Sequence, residues 1–381
     1  MGHVYKSRLS KIEAYIEERG HCAAIVEGQS NVAYFTGYRG AGYLVHVAGE
    51  GAKLVVPMLE YLNAYDALAS VELEDVVEVV VAKPYPLPRG MAPEMEGFRV
   101  VDHKPLEAVA KLLGDCSSVA AAVYYTDTAE ALSTAAPGAK LDTNLRSEVE
   151  KWRSVKEPWE VEHIKKALRI TENAFMEAVS QLDYGVSEAE LAGIIEYSFR
   201  LQGSEGVAFP TIVAFGANTV YPHASPSQAR RLTRPTPVLI DLGARYEGYA
   251  SDMTRTIYFG SPDQEFRSVA EAVREALLEA VDKVSSGVEA GEVDAAARRV
   301  LERYGLSSYF IHSLGHGVGL DVHERPRVSH SSKEQLVEGM VITVEPGVYL
   351  RGKFGVRIEN VVLVAKRKAQ VLTALPEDLW V

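Results

Sequence analysis

Two separate segments, residues 237–256 and 340–361, each read as a β-hairpin of apolar, mostly β-branched residues on either side of a turn. Each hairpin carries one carboxylate on each arm: Asp241 and Asp252 in the first, Glu345 and Glu359 in the second. Both pairs are equidistant from their predicted turn, which predicts that they face each other with Cβ atoms about 5 Å apart. Four carboxylates among apolar side chains are costly to bury unless a cation binds them. The pattern therefore predicts a metal cluster.

The sequence before the hairpins is duplicated as well. A pair of predicted amphipathic helices precedes each hairpin, and three residues recur with the same spacing: Gly185, Glu190 and Gly203 in the first copy, Gly287, Glu292 and Gly305 in the second. Ser187 and Glu190 have the spacing of a capping box, and Gly203 and Gly305 stand where a left-handed residue ends a helix. An approximate twofold relation between the copies would bring all four carboxylates into one cleft.

A segment rich in glycine and histidine, residues 311–324, lies between the two hairpins. Glycines alternate at Gly315, Gly317 and Gly319, which indicates a backbone that passes close to another group. A nucleotide-binding loop is disfavoured, because the spacing is not G-x-G-x-x-G and no βαβ unit follows. Beside four converging carboxylates, His316 is predicted to be a fifth metal ligand.

The ordered set of predicted ligands resembles that of a known family: Asp241, Asp252, His316, Glu345 and Glu359 match the five ligands of the pita-bread metallopeptidases. This family includes methionine aminopeptidase, Xaa-Pro aminopeptidase and Xaa-Pro dipeptidase, and the resemblance covers nearly the whole chain. Residues 31–38 resemble the start of an N-terminal domain that the proline-specific members have and methionine aminopeptidases lack. The resemblance implies an α+β fold, with a duplicated pita-bread (creatinase/aminopeptidase) domain at residues 149–381 after a smaller mixed α/β, creatinase-like domain at residues 1–148.

The same resemblance implies two divalent metal ions as cofactors. Asp241 would bind one ion, His316 and Glu345 the other, and Asp252 and Glu359 would bridge them. This oxygen-rich donor set suits Mn²⁺ or Co²⁺, with Zn²⁺ or Fe²⁺ as alternatives. Two ions about 3.5 Å apart can lower the pKa of a bridging water and polarise a scissile carbonyl. Glu345 is the expected proton shuttle.

Further residues match positions that contact the substrate in the family. His223, His312 and His323 match histidines of the cleft, where a neutral imidazole donates to the oxyanion or holds the peptide carbonyl. Arg327 matches the arginine that meets the C-terminal carboxylate of a dipeptide, a geometry in which a guanidinium donates two parallel hydrogen bonds. Arg357 is expected to bind the carboxylate of a metal ligand and hold it in place without contacting the metal itself.

The implied function is the hydrolysis of Xaa-Pro dipeptides, because Arg327 favours a substrate that ends one residue past the cut. One alternative is an Xaa-Pro aminopeptidase that acts on longer peptides. Another, from a different class, is a metal-free pita-bread protein that only binds its partner, and the complete ligand set argues against it. Short proline-containing peptides are therefore the expected substrates.

The N-terminal part has its own pattern. Amphipathic spacing predicts a helix from residue 5 to about residue 20, and apolar runs predict strands that alternate with helices, at residues 23–26, 43–45, 53–56 and 76–81. In the family this domain covers the cleft of a neighbouring subunit. The resemblance thus implies a homodimer, with residues 36–40 as a candidate to reach across.

Composition limits the classes of protein that remain. The 381 residues, 47% of them hydrophobic with no long apolar run, predict a soluble globular protein with no membrane partner, and the net charge of −12 argues against a nucleic-acid partner. Residues 1–6 show no hydrophobic signal region, so secretion is not expected. Cys22 and Cys116 show no disulfide or ligand spacing, which predicts free thiols in a reducing compartment. The expected localisation is therefore cytoplasmic.

Overall fold

The structure, a computed structural model, describes residues 2–84, 95 and 97–377. It divides into two compact units, Met1–Trp152 and Arg153–Val381. The division falls inside the helix Asn144–Ser154, near the boundary expected between residues 148 and 149. Both units mix helices and strands, as the predicted fold class requires.

The N-terminal unit is built on a mixed seven-stranded sheet with the strand order β5-β4-β3-β2-β1-β6-β7. Its elements are α1 (Gly2–Arg19), β1 (Ala23–Val26), α2 (Gln29–Thr36), β2 (Tyr43–Val47), β3 (Gly51–Pro57), α3 (Tyr61–Ser70), β4 (Val77–Ala82), β5 (Arg99–Val101), α4 (Pro105–Leu113), β6 (Ser118–Ala122), α5 (Thr126–Ala135), β7 (Lys140–Asp142) and α6 (Asn144–Ser154). Neighbouring strands are parallel except that β2 runs antiparallel to both β1 and β3. The predicted helix and the four predicted strands are confirmed.

The two cysteines of the N-terminal unit form a disulfide, so the prediction of free thiols is wrong. Cys22 directly precedes β1 and Cys116 lies just before β6, and the two are bonded with a Cα–Cα distance of 5.7 Å. β1 and β6 are neighbouring parallel strands in which Ala23 pairs with Val119. The residues just before the two strands, which include the cysteines, therefore lie close together. The sequence could not reveal this pairing, because it depends on strands that are far apart along the chain.

The disulfide should stabilise the N-terminal unit. It joins residues separated by 94 positions. A disulfide is typically worth about 2 to 4 kcal/mol of unfolding free energy, and the chain-entropy estimate for a loop of about 100 residues is roughly 4.7 kcal/mol. Cys22→Ser and Cys116→Ser are each expected to lower the calorimetric melting temperature of this unit without reductant, and by the same amount. Equal melting of the wild type and both variants, or two reactive thiols in the denatured wild type, would contradict the bond.

The C-terminal unit contains two copies of one arrangement of helices and strands. Its elements are α7 (Pro158–Ser180), α8 (Glu188–Leu201), β8 (Gly206–Val207), β9 (Ile212–Phe215), β10 (Thr236–Leu242), β11 (Ala244–Tyr246), β12 (Tyr249–Ala250), β13 (Met253–Phe259), α9 (Gln264–Lys283), α10 (Ala290–Arg303), β14 (Gly315–Gly317), β15 (Glu324–Val328), β16 (Val341–Val344), β17 (Gly347–Leu350), β18 (Phe354–Arg357), β19 (Asn360–Leu363) and β20 (Gln370–Val371). In the first copy β10 lies between β9 and β13, and in the second β16 lies between β14 and β19. These pairs are antiparallel in both copies.

Each copy begins with a packed pair of helices that has its own apolar core. Ser187 caps α8 by accepting a hydrogen bond from the Glu190 N–H, and the Glu190 side chain accepts one from the Ser187 N–H, which confirms the capping box. Gly203 and Gly305, with φ of 85° and 70°, follow α8 and α10 in the left-handed conformation expected of them. The duplication predicted from the sequence is therefore present in the helices and in the sheets.

The register of the first hairpin differs from the prediction. Asp241 pairs with Thr254 rather than with Asp252, because the chain turns at Glu247 and Gly248, whose φ values are both positive, 48° and 81°. Two positive φ values are typical of a two-residue type I′ turn, which shifts the pairing. Asp252 thus lies diagonally from Asp241.

The second hairpin has the predicted register. Val344 pairs with Asn360, and Gly347 pairs with Arg357. Glu345 and Glu359 occupy the opposed positions between these two ladders.

No helix in the described parts of the chain combines the length and the apolar character that crossing a bilayer needs.

Candidate metal centre

The five predicted metal ligands lie together at the point where the two copies meet. Three overlapping groups of side chains each place one ligand atom per residue within 4.8 Å of the others. The groups are Asp241 with Asp252 and Glu359, His316 with Glu345 and Glu359, and Asp252 with His316 and His323. The sequence-predicted ligands thus form one cluster, and His323 borders it.

Backbone hydrogen bonds join the elements that carry these side chains. The Glu345 N–H donates to the Leu314 carbonyl at 2.8 Å, which ties the end of β16 to the segment before β14. The Glu359 N–H donates to the carbonyl of Thr254 at 3.0 Å, which ties the second hairpin to the first. Because residues of both copies are linked on the backbone, the ligand positions do not depend on side-chain packing alone.

Two carboxylate oxygens of the cluster are buried without a partner. Arg357 donates to Oδ2 of Asp241 at 2.5 Å, and the Thr254 hydroxyl donates to Oε2 of Glu359 at 2.8 Å. The other oxygens, Oδ1 of Asp241 and Oε1 of Glu359, have no hydrogen-bond partner in the described part of the chain. A buried carboxylate oxygen without a partner is costly, and a divalent cation satisfies it. The donor set therefore fits a metal centre.

His316 has one ring nitrogen engaged and the other directed at the carboxylates. Nδ1 lies 3.1 Å from the Gly317 carbonyl, so Nδ1 carries the hydrogen. Nε2 lies 3.4 Å from Glu345 and 3.6 Å from Asp252. A histidine that donates one ring N–H to a backbone carbonyl and turns the other nitrogen to the site is typical of a metal ligand.

Burial and the closeness of the four carboxylates dominate the electrostatics of the cluster. Burial and the neighbouring carboxylates raise the pKa of Asp252 and of Glu359 well above their usual values. Burial also raises the pKa of Asp241, although Arg357 opposes this effect. Burial alone would raise the pKa of Glu345, but the hydrogen bond and charge of His316 bring it below its usual value. Protons or metal ions must therefore neutralise Asp252 and Glu359, the two residues expected to bridge the ions.

Arg357 connects the cluster to a tyrosine that the sequence analysis missed. Its guanidinium donates to Asp241 and, at 2.8 Å, to the Tyr349 hydroxyl, which lies 3.0 Å from Nε2 of His312. A Cβ atom on Gly347 or Gly355 would lie within 3 Å of the Tyr349 ring. The two glycines near Tyr349 were the one feature of the sequence that could have indicated a tightly packed tyrosine at this place.

The three cleft histidines differ in their surroundings. Both ring nitrogens of His312 are engaged, Nδ1 by the Ser313 carbonyl at 2.8 Å and Nε2 by Tyr349. The ring of His323 lies 4.2 Å from that of His316, and burial lowers the pKa of His323, which favours the neutral imidazole. His223 and His323 are exposed and accessible to a substrate.

Arg327 lies beside the cluster on β15. It is directly paired with His316 across the β14–β15 ladder, so both side chains point to the same face of the sheet. The side chain of Arg327 is exposed, and it makes no hydrogen bond or ion pair with the described residues. Its guanidinium is therefore accessible to an anion that reaches the cluster.

A buried ionic network holds the segment that carries His323. Glu324 accepts from Arg153 and from Lys156, both at 2.6 Å, and Arg153 also binds Asp321 at 2.7 Å. A Cβ atom on Gly319 would lie 2.5 Å from the Glu324 carboxylate, so only glycine fits there. The sequence analysis did not assign this role to Arg153 or Lys156.

Taken with the fold, this cluster defines a metal-dependent hydrolase built on a duplicated domain. Residues 162–366 match the model of metallopeptidase family M24, and residues 8–155 match that of the creatinase/prolidase N-terminal domain. The chain belongs to metallopeptidase family M24, and it is a peptidase of the pita-bread fold.

Several relatives are similar over their whole length. The chain is 35% identical to the Xaa-Pro dipeptidase of Pyrococcus furiosus over 98% of this chain and 99% of the relative. The prolidase structure from Pyrococcus horikoshii superposes with a TM-score of 0.85 at 34% identity, covering 98% of this chain and 99% of that one. The X-Pro aminopeptidase structure from Thermotoga maritima superposes with a TM-score of 0.83 at 31% identity, covering 97% and 98%.

Removing a bridging carboxylate should remove metal. Asp252→Asn and Glu359→Gln keep the size of the side chain but lose the charge that balances the ions, so each variant should bind at least one ion fewer and lose nearly all peptidase activity. Elemental analysis after dialysis against Mn²⁺ measures the loss, and circular dichroism checks that the fold is unchanged. Two bound ions and normal turnover in either variant would show that these residues are not ligands.

The raised pKa of Asp252 and Glu359 predicts how pH affects the metal-free protein. A carboxyl whose pKa is higher in the folded than in the unfolded state favours folding fully below its unfolded pKa, near 4, and this contribution is lost as pH rises through the folded pKa. The metal-free wild type should therefore lose more stability between pH 5 and pH 8 than metal-free Asp252→Asn does. Urea unfolding at the two pH values measures the difference, and identical losses would refute the predicted direction.

Proposed function

We propose that this protein hydrolyses Xaa-Pro dipeptides with two divalent metal ions. The observation that carries the proposal is the position of Arg327, an exposed guanidinium on the same sheet face as His316. A dipeptide whose scissile bond lies at the cluster has its terminal carboxylate only one residue away, within reach of such a group. The names of the Pyrococcus relatives, Xaa-Pro dipeptidase and prolidase, support the same substrate class.

Each ligand has a part in holding the ions. Asp241 would hold one ion, His316 and Glu345 would hold the other, and Asp252 and Glu359 would contribute to both. Mn²⁺ or Co²⁺ fits this oxygen-rich donor set, with Zn²⁺ or Fe²⁺ as alternatives. When bound, the ions supply an activated water and polarise the peptide carbonyl.

The protein's own side chains move the proton and orient the substrate. Glu345 is partly exposed and its pKa is lowered, so it is ionised at neutral pH and serves as the proton shuttle between water and the leaving proline nitrogen. His223 and His323 donate to the substrate carbonyl or to the oxyanion that forms from it. Nδ1 of His312 donates to the Ser313 carbonyl, so in the neutral ring Nε2 accepts from the Tyr349 hydroxyl and has no proton to donate to the substrate.

The second candidate function is that of an Xaa-Pro aminopeptidase. The similarity to the Thermotoga maritima enzyme, named X-Pro aminopeptidase, favours it. The two activities differ in the substrate beyond proline, because a dipeptidase needs a free carboxylate there and an aminopeptidase accepts a peptide bond. Arg327 is the residue that distinguishes them in this chain.

Arg327→Ala should impair dipeptide hydrolysis selectively. Losing one partner of a charge-assisted contact in a partly dry cleft costs on the order of 2 to 4 kcal/mol, so kcat/KM for Xaa-Pro dipeptides should fall by about 30-fold or more. Hydrolysis of longer or amidated substrates should change little. Steady-state kinetics on Ala-Pro and Ala-Pro-amide measures both effects.

A neighbouring arginine provides the matched control. Arg325 lies two residues away on the same strand but is paired with Glu334 at 3.1 Å. Arg325→Ala should leave the ratio of dipeptide to amide hydrolysis unchanged. Faster cleavage of Xaa-Pro-Xaa tripeptides than of dipeptides by the wild type, with Arg327→Ala affecting neither, would assign the protein as an aminopeptidase.

We further propose that the protein is a homodimer in which the N-terminal unit limits substrate length, with residues 36–40 as the candidate segment to reach the partner. In this segment Arg39 is exposed, whereas Tyr38 is buried and bonded to Glu60 at 3.0 Å. Light scattering at working concentration should give twice the mass of one 41.6 kDa chain. A monomer would contradict this arrangement.

The proposed partners are short proline-containing peptides, and we propose no nucleic-acid or membrane partner. We place the protein in the cytoplasm, although the argument from free cysteines no longer applies. The alternative of a metal-free binding protein predicts that the chain hydrolyses no dipeptide, even after Mn²⁺ or Co²⁺ is added. Assaying dipeptide hydrolysis with each added metal therefore tests it.

A further inference from the structure

Arg255, on β13, is almost completely buried, with 1% of its surface exposed. It forms no ion pair within the described part of the chain. Instead, its guanidinium donates to oxygen atoms of the backbone and of one amide: the carbonyls of Thr254, Glu359, Leu375 and Pro376 and Oδ1 of Asn360. These are five hydrogen bonds, one for each N–H of an arginine. A side chain with every donor used in this way has a fixed position.

The partners of Arg255 belong to two different parts of the chain. Thr254 and Glu359 belong to the backbone contact between the two hairpins, where the Glu359 N–H also donates to the Thr254 carbonyl. Leu375 and Pro376 belong to residues 372–377, here called the C-terminal segment. Arg255 therefore lies between the C-terminal segment and a proposed bridging ligand.

The C-terminal segment is held along β19 by further contacts. The Leu372 N–H donates to the Val361 carbonyl at 2.8 Å, and the Val361 N–H donates to the Thr373 hydroxyl at 2.9 Å. The Asn360 amide donates to Glu377 at 3.0 Å. The segment thus covers the strand that directly follows Glu359.

A buried carboxylate on the long helix α7 completes the attachment. Glu172 accepts hydrogen bonds from the N–H groups of Ala374 and Leu375. Glu172 and Arg255 thereby hold the same short stretch of backbone, one through its N–H groups and the other through its carbonyls. Neither residue is needed for the ligand set, and the proposed reaction uses neither of them.

We propose that the C-terminal segment and Arg255 position Glu359 for metal binding, so that the affinity of the centre for its ions depends on residues 374–377. This inference rests on the metal centre of the proposed function. Without Leu375 and Pro376, two donors of a buried guanidinium lose their partners, and Arg255 must move or admit water. Either change releases the Glu359 carbonyl and the backbone that orients its carboxylate. Arg255 is a positioning residue in this account, since it touches neither the ions nor the substrate.

The test compares metal binding in three variants of the full enzyme. The first is a chain that ends at Thr373, the second is Arg255→Lys, and the third is the control Val300→Ala, which opens a cavity in the buried interior of α10. Each is stripped of metal, checked for folding by circular dichroism, and titrated with Co²⁺ by calorimetry and by visible absorption. Removal of a group that supports a ligand typically lowers metal affinity about 10- to 100-fold.

The truncated chain and Arg255→Lys should both lose affinity in that range, with an altered Co²⁺ spectrum. Val300→Ala should lower the melting temperature but leave Co²⁺ affinity unchanged. The proposal is wrong if the truncated chain binds Co²⁺ as tightly as the wild type does. It is also wrong if Val300→Ala, at a similar loss of melting temperature, weakens Co²⁺ binding as much as the truncation does, because the segment would then only stabilise the fold. Because Co²⁺ binding is measured without a peptide, an error in the proposed substrate would not change this result.

Discussion

The C-terminal unit depends on how it accommodates four carboxylates that face one another in a buried space. Arg357 provides one positive charge next to Asp241, and His316 provides hydrogen-bonding and partial charge next to Glu345. Burial and the other carboxylates raise the pKa values of Asp252 and Glu359 well above their usual values. Divalent cations bring the charges into balance, so the same residues that make the apo site unfavourable make it a strong metal site.

The duplicated fold provides the geometry for this arrangement. Each copy contributes one hairpin, and the backbone bond between Glu359 and Thr254 joins them at the cluster. Arg255 and the C-terminal segment lie behind this contact, while Arg153 and Lys156 hold the segment that carries His323 beside it. Asp241 and His316 therefore lie on strands, and Asp252, Glu345 and Glu359 lie next to strand ends. Residues from several parts of the unit support these positions.

Much of this could be predicted from the sequence, because it rests on spacing. The capping box at Ser187 and the glycine after α8 follow from local rules. The repeated hairpins indicated four ligand candidates, and the glycine- and histidine-rich segment between them indicated the fifth, His316. The predicted pairing of Asp241 was wrong because the turn lies at Glu247 and Gly248, and the sequence did not indicate that Glu247 would have a positive φ. Tyr349 and the Cys22–Cys116 bond escaped prediction for a common reason: each depends on a contact that exists only after distant strands have assembled.

The central claim is that five side chains hold two ions between the two copies of the repeated unit. Anomalous X-ray diffraction from crystals grown with Mn²⁺ tests it directly, because it locates the ions without any assumption about ligands. The account predicts two peaks about 3.5 Å apart, both in contact with Asp252 and Glu359, one also with Asp241 and the other with His316 and Glu345. A single peak, or two peaks that do not share Asp252 and Glu359, would contradict it.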